Sequence, residues 1–229
     1  TKLFPCLVDM RFKGVRVDLE HAEELKKKLI VKENKILNNI KSLVGFSIEI
    51  NAARSIAKAF DKLKLPYDRT EKSNEPSFTK NFLQNHPHAL PKAIADAREI
   101  NKARTTFIDS ITKHSHKGRI HADINQIRSD QLFVSMRNPN LQQIPARHPE
   151  LGPMIRSIFI PEEKCKWGSF DYSQQEPRIL VHYAKLQNLE GVDEIVNAYN
   201  SGDADFHQVV ADMAGIERKQ AKTINLGLM

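Results

Sequence analysis

Between Leu19 and Val44 the apolar residues return every three or four positions, with Leu25, Leu29, Leu37 and Ile40 on one stripe. That spacing predicts an amphipathic helix. Asp18 stands where an N-cap belongs and Gly45 where the helix must stop. Glu20, Glu23 and Glu24 come early, Lys26, Lys27, Lys28, Lys32 and Lys35 later, an order that complements the helix dipole. The stretch AARSIAKAFDKL predicts a second helix, capped by Asn51 and closed off by Pro66. Tyr67 to Pro76 is polar and turn-rich, an exposed loop. A short helix near Phe78 to Gln84 follows, then a longer one over Pro91 to Lys113, with proline in the tolerated first turn.

The pattern changes at Gly118. Arg119 to Gln126 alternates, with Ile120, Ala122 and Ile124 on one side, and reads as a strand. Residues 127–153 are irregular and proline-bearing. Ile155 to Ile160 and Lys166 to Phe170 read as further strands, joined through a PEEK turn. Helices resume at Gln174, Asp193, Phe206 and Glu217, the first carrying Ile179, Leu180 and Tyr183 at helical spacing. Residues 1–18 form an apolar lead with a turn at Gly14. Helices, then strands mixed with helices, then helices again make an α+β organisation without internal repeats.

Composition narrows the classes. With 40% hydrophobic and 28% charged residues, the 229-residue chain can bury a real core. A net charge of +7 favours an anionic partner, most often nucleic acid, though a basic protein with no polyanion ligand fits equally well. The lysines after Lys26 are read first as a solvated helix face, and second as a track for a DNA backbone. Two cysteines, Cys6 and Cys165, lie far apart without a CxxC pattern, which argues against a zinc site or disulfide framework and for a reducing compartment. No apolar run nears the roughly 20 residues that span a bilayer. The N-terminus lacks a signal peptide's apolar core. The chain begins without Met and stops at INLGLM, so both ends read as cuts through a longer protein.

The chemistry concentrates at DYSQQEPRILVHYA, from Asp171 to Ala184. A carboxylate at the end of the expected WGSF strand, with Gln174, Glu176 and Arg178 beyond it, can hold a metal ion beside a polyphosphate. Standing alone, such an Asp would read as a helix cap. The segment resembles motif A of the family A DNA polymerases, the DNA polymerase I group, whose pattern is DYSQxExR. The resemblance implies that Asp171 is the catalytic carboxylate and a ligand of one of two Mg²⁺ ions. Glu176 then screens the sugar 2′ position, and Gln174 lies near the incoming nucleotide. Tyr172 and Arg178 support the site, Arg178 from a buried position. Pro177 stands where the family has Leu.

Two more segments carry the resemblance. NPNLQQIPAR, Asn138 to Arg147, is similar to DPNLQNIPxR, and implies primer–template contacts from Asn140, Gln142, Gln143 and Arg147. The family's TGR is missing just upstream: Phe133 stands near the expected arginine, and Arg128 and Arg137 are out of register. ERKQAKTINLGLM resembles motif B, RxxxKxxxFGxxYG, with Arg218, Lys222 and Leu226 four apart on one face and Leu226 in place of an aromatic ring. His207 matches a DxH element near the triphosphate. By resemblance, residues 1–18 lead in from a preceding domain and 19–115 form a helical thumb. Residues 116–204 form half of an antiparallel palm, and 205–229 begin the fingers.

The implied partners are primer–template DNA and dNTPs, with no membrane. The implied location is the bacterial cytoplasm, that of the host if the protein is phage-encoded. The His-Asp pair of motif C does not occur after motif B, so these residues by themselves are expected not to polymerise. A single-subunit RNA polymerase is disfavoured by Glu176, which leaves no room for a 2′-hydroxyl. A non-catalytic DNA-binding module derived from a polymerase is the reading from a different class.

Overall fold

The computed structural model describes residues 2–127, 133–145, 148–202 and 205–228. Two compact units divide the chain, Thr1–Lys166 and Trp167–Met229. Arg128 and Arg147, both named above, lie outside the described residues.

In the first unit, helix α1 (Leu3–Lys13) occupies what the sequence suggests is only an apolar lead. It ends at Gly14, whose φ of +63° and closeness to the Ile120 carbonyl leave no room for a side chain. Strand β1 (Val15–Arg16) follows, then α2 (Leu19–Val44). Asp18 caps α2 by accepting from the His21 amide at 2.9 Å, and Gly45 ends it in the left-handed region, both as the sequence predicts. Helix α3 (Ala53–Lys62) departs from expectation at its start. Ala52 is its cap and makes no side-chain bond, while Asn51 turns away to Asn101 at 3.4 Å.

The expected loop after α3 closes into a small hairpin, β2 (Asp68–Arg69) against β3 (Pro76–Ser77). Helix α4 (Lys80–Asn85) is capped by Thr79, and α5 (Ala89–Lys102) by His88. Helix α5 runs on through a π-helical segment (Ala103–Ile108) into α6 (Asp109–His114). Strands β4 (Ser115–His116) and β5 (Arg119–Ile120) build an antiparallel sheet in the order β1-β5-β4. Strand β6 (Asp123–Asn125) pairs instead with β7 (Ser135–Arg137), so the single expected strand over Arg119 to Gln126 is two short ones in different sheets. A 3₁₀ turn (Leu141–Gln143) and α7 (Leu151–Arg156) complete the unit.

The strand expected over Ile155 to Ile160 is overturned. Leu151, Ile155 and Ile158 are buried at spacings of four and three, the helical period, and only Phe159 keeps a single bridge, to Val17. The strand expected over Lys166 to Phe170 is likewise irregular, with Phe170 97% exposed. A strand needs a neighbour for its N–H and C=O groups, and no described residue forms a ladder with this segment.

Helix α2 serves two cores. Its first half packs Ala22, Leu25 and Leu29 with Ile100, Ile108 and Ile155. Its second half packs Ile40 and Val44 with Phe60, Leu83 and Ile94. Between them sits Glu33, 7% exposed, accepting from Asn101 Nδ2 at 2.7 Å and from Arg104 Nε at 3.0 Å. A buried carboxylate with two donors is stable where a bare one is not.

The second unit holds α8 (Gln175–Leu186), α9 (Val192–Ser201), α10 (Phe206–Ala214) and α11 (Arg218–Leu228). Its apolar cluster is small, built on Val181, Val192 and Tyr199. The buried side of α8 is Pro177 and Val181, whereas Ile179, Leu180 and Tyr183 are exposed. The apolar stripe read from the sequence is thus the outward one.

Replacing Glu33 by Ala takes the acceptor from Asn101 Nδ2 and Arg104 Nε, leaving Arg104 only its longer pairing with Asp109, and should lower stability by about 2 kcal/mol, with Glu33→Gln losing less. Urea unfolding checks this. An effect no larger than that of the exposed Glu24→Ala would contradict the pairing.

Candidate nucleotide and nucleic-acid sites

In the first unit the motif from Asn138 hangs from the β6–β7 hairpin. Asp123 on β6 anchors it: Asn138 Nδ2 donates at 2.9 Å, Arg11 lies at 2.6 Å and Arg137 at 3.4 Å. The Asn138 hydrogen bond, with help from Arg11 and Arg137, holds the Asp123 carboxyl below its usual range against the opposing effect of burial. Arg137, a neighbour of the missing TGR, is therefore engaged with Asp123.

Asn140 accepts from the Gln142 amide at 3.1 Å and so starts the 3₁₀ turn. The Gln142 side chain acts as a surrogate strand edge, accepting from the Met136 N–H at 3.1 Å and donating to the Val134 carbonyl at 2.8 Å. Both ends of its amide are occupied within the protein. Gln143 is exposed, and with Ile144 and Pro145 it borders a cleft of about 540 Å³ that Lys80, Lys102 and Phe107 also line. Phe133 is 57% exposed.

In the second unit Asp171 and Tyr172 are exposed in an irregular segment, and no side chain among the described residues pairs with Asp171. Gln174 caps α8 at a φ of +53°, in the left-handed region. Its Oε1 accepts from the Tyr199 hydroxyl at 3.3 Å and from the Phe206 N–H at 3.0 Å. That N–H is one of the donors a helix start leaves unpaired, so Gln174 joins the head of α8 to α9 and to the first turn of α10. Burial raises the Tyr199 phenol above its ordinary pKa.

Arg178 is exposed rather than buried, yet it is held: Nε donates to the Ser173 carbonyl at 2.9 Å and the guanidinium lies 4.6 Å from the centre of the Tyr199 ring. Glu176 is exposed in the first turn of α8. An open cleft lies beside motif A, lined by Tyr172, Ser173, Arg178 and His182 among others.

Arg218, Lys222 and Leu226 share the exposed face of α11, while Ala221 and Asn225 face inward. Arg218 Nε contacts Asp205 Oδ2 at 2.7 Å, which keeps the Asp205 carboxyl low and raises Arg218. Asp205 also caps α10 by accepting from the Gln208 N–H. His207, on the first turn of α10, is 3% exposed, and Asn225 Nδ2 lies 3.1 Å from its Nδ1. Desolvation first, then Lys222 and Arg218, lowers the His207 pKa.

The sequence pattern assigned no role to Tyr199 or Asn225, and named Asp205 only as the first residue of the DxH element. Only Asp205 carried a local signal, a capping residue at the head of a helical run. The described residues contain no group of three His, Cys, Asp or Glu suited to a metal, and no helix long and apolar enough to cross a membrane.

The family model for DNA polymerase family A matches residues 19–229, and the chain belongs to that family. Among its relatives is a DNA-directed DNA polymerase of Pseudomonas phage M6, 36% identical over all of this chain and 38% of the phage protein. The thermostable DNA polymerase I of Thermus aquaticus is 31% identical over 99% of this chain and 28% of its own length. Among solved structures, the POL domain of Pol1 from M. smegmatis, in complex with DNA primer-template and dNTP, superposes with a TM-score of 0.77. That likeness has 26% identity and covers 97% of this chain and 40% of the other. The chain thus spans about two fifths of the phage relative, and the mixed α+β fold agrees with the family.

Tyr199→Phe removes one donor and should cost about 1 kcal/mol. Gln174→Ala strands two donors and should cost about twice that, with the double variant falling short of the sum. Chemical denaturation of the four proteins measures this, and strict additivity would show that the two side chains do not interact.

Proposed function

We propose that this chain is part of a DNA-directed DNA polymerase, contributing a helical thumb (19–115), half of the palm (116–204) and the start of the fingers (205–229). The observation that carries the reading is the family match across residues 19–229, with motif A intact at Asp171, Gln174, Glu176 and Arg178. Its substrates are then dNTPs and a primer–template duplex, as in the complex of the M. smegmatis domain.

Asp171 offers an exposed carboxylate with no competing partner among the described residues. One hard oxygen ligand, completed by phosphate oxygens and water, is a donor set that suits Mg²⁺. When bound, Mg²⁺ activates the primer hydroxyl and neutralises charge on the transferring phosphate. The remaining work falls to the protein. Lys222 and Arg218 place positive charge along one face of α11, toward which a triphosphate is drawn, with Arg218 exchanging Asp205 for phosphate. Leu226 gives that face an apolar end against base or sugar. Glu176 excludes a 2′-hydroxyl by volume. Gln174 and Arg178 hold motif A against α9, and Tyr172 flanks it. Asn140 and Gln142 shape the loop that presents Gln143 to the primer–template, with Arg147 of the same motif, outside the described residues, as a further DNA contact.

A two-ion reaction needs a second carboxylate motif besides Asp171, so the 229 residues alone are expected to be silent in primer extension. In the polymerase that carries them, Asp171→Ala should abolish primer extension while DNA affinity stays unchanged. Synthesis that survives this change would leave the DNA-binding module as the better reading. Glu176→Ala should raise ribonucleotide incorporation relative to deoxynucleotide. Competition between the two substrates measures it, and an unchanged ratio would remove Glu176 from sugar selection.

A further inference from the structure

His207 and Asn225 are buried polar side chains that face each other across α10 and α11. An amide nitrogen can only donate, so the imidazole nitrogen 3.1 Å from Asn225 Nδ2 must present a lone pair. A proton on Nδ1 would set two donors head to head inside the protein, where water cannot relieve them. We propose that Asn225 is a positioning residue that holds His207 as the neutral tautomer with its proton on Nε2. The proposal rests on the reading that His207 faces the triphosphate, and gives that contact its chemistry: a neutral N–H donor of fixed direction.

The surroundings favour the neutral ring. Burial opposes a charge, and the groups bearing on His207 are Lys222 and Arg218 on α11, Asp205 on α10 and Glu176 on α8. The two cations outweigh the two carboxylates. Helix α11 then has two tasks on two faces. Its exposed face carries the positive charge of Arg218 and Lys222, and its inward face, through Asn225, sets which nitrogen of His207 holds the proton. Separating charge from direction in this way lets the imidazole donate to an anionic oxygen without a proton being taken up as nucleotide arrives.

The ligand-free chain tests the assignment directly. With ¹⁵N-labelled histidine, and His207→Gln to identify its signals, wild-type His207 should show a protonated Nε2 and an unprotonated Nδ1 at neutral pH. A protonated Nδ1, or the tautomer average of an exposed histidine, overturns the proposal without any variant at position 225. Asn225→Asp keeps the shape but replaces donor with acceptor, and should move a proton onto Nδ1. An unchanged His207 spectrum in that variant also overturns it. In the polymerase carrying these residues, Asn225→Asp should raise the KM for dNTP about tenfold with a smaller change in kcat. Where the tautomer is as described but KM does not move, the positioning role fails with the triphosphate reading, and the spectra tell that failure apart from a wrong tautomer.

Discussion

The larger unit depends on a carboxylate buried in the middle of an apolar stripe. Glu33 interrupts the hydrophobic side of α2 between its two cores, and removing a charge from water there is unfavourable unless donors replace the solvent. Arg104 and Asn101 supply them from the end of α5 and the start of the π-helical segment. Turning α2 by one residue would bring Lys32 or Asn34 to the donors instead, and a cation facing Arg104 is untenable. The pairing therefore selects one register of α2. The π-helical turn contributes by aligning residues five apart, so that Ala103 and Ile108 both reach the core while Arg104 faces Glu33.

The smaller unit solves the same problem with little apolar mass. Where the first unit seats long helices on two clusters, the second joins short helices through polar contacts: Gln174 to α9 and α10, Arg178 to Tyr199, Asp205 to Arg218, and Lys185 to Asp193. Several of these side chains are the ones the family resemblance places around a nucleotide. A contact such as Arg218 with Asp205 keeps a cation in place, though at the surface such a pair contributes little to stability.

The same economy shapes the loop from Asn138. Asn140 and Gln142, which the resemblance implies as DNA contacts, also bond backbone nearby: Asn140 accepts from the Gln142 N–H of the 3₁₀ turn, and the Gln142 side chain bonds Val134 and Met136 of the hairpin. Their amides build the loop, which leaves the exposed Gln143 to reach outward. Resemblance places a residue at a site, but only its partners say whether it touches the ligand or holds the residue that does.

The boundaries of α2 were legible because their causes are local. Asp18, the stripe from Leu25 to Ile40 and Gly45 define α2 through bonds that span a few residues. Motif A was legible as a pattern of residue types. The strands were not, because a strand exists only beside another. Ile155 to Ile160 followed its helical spacing, and Lys166 to Phe170 found no ladder among the described residues. The outward turn of Ile179, Leu180 and Tyr183, the Tyr199 hydroxyl on Gln174 and the Asn225 amide on His207 join or expose residues through packing, across separations of 25 and 18 residues for the two hydrogen bonds. The sequence by itself determined the family and most of the helices, α1 and α7 excepted, since both rest on short-range order. Tertiary structure decided which polar side chains are buried and what they pair with, because burial is a property of the neighbours a residue acquires in space.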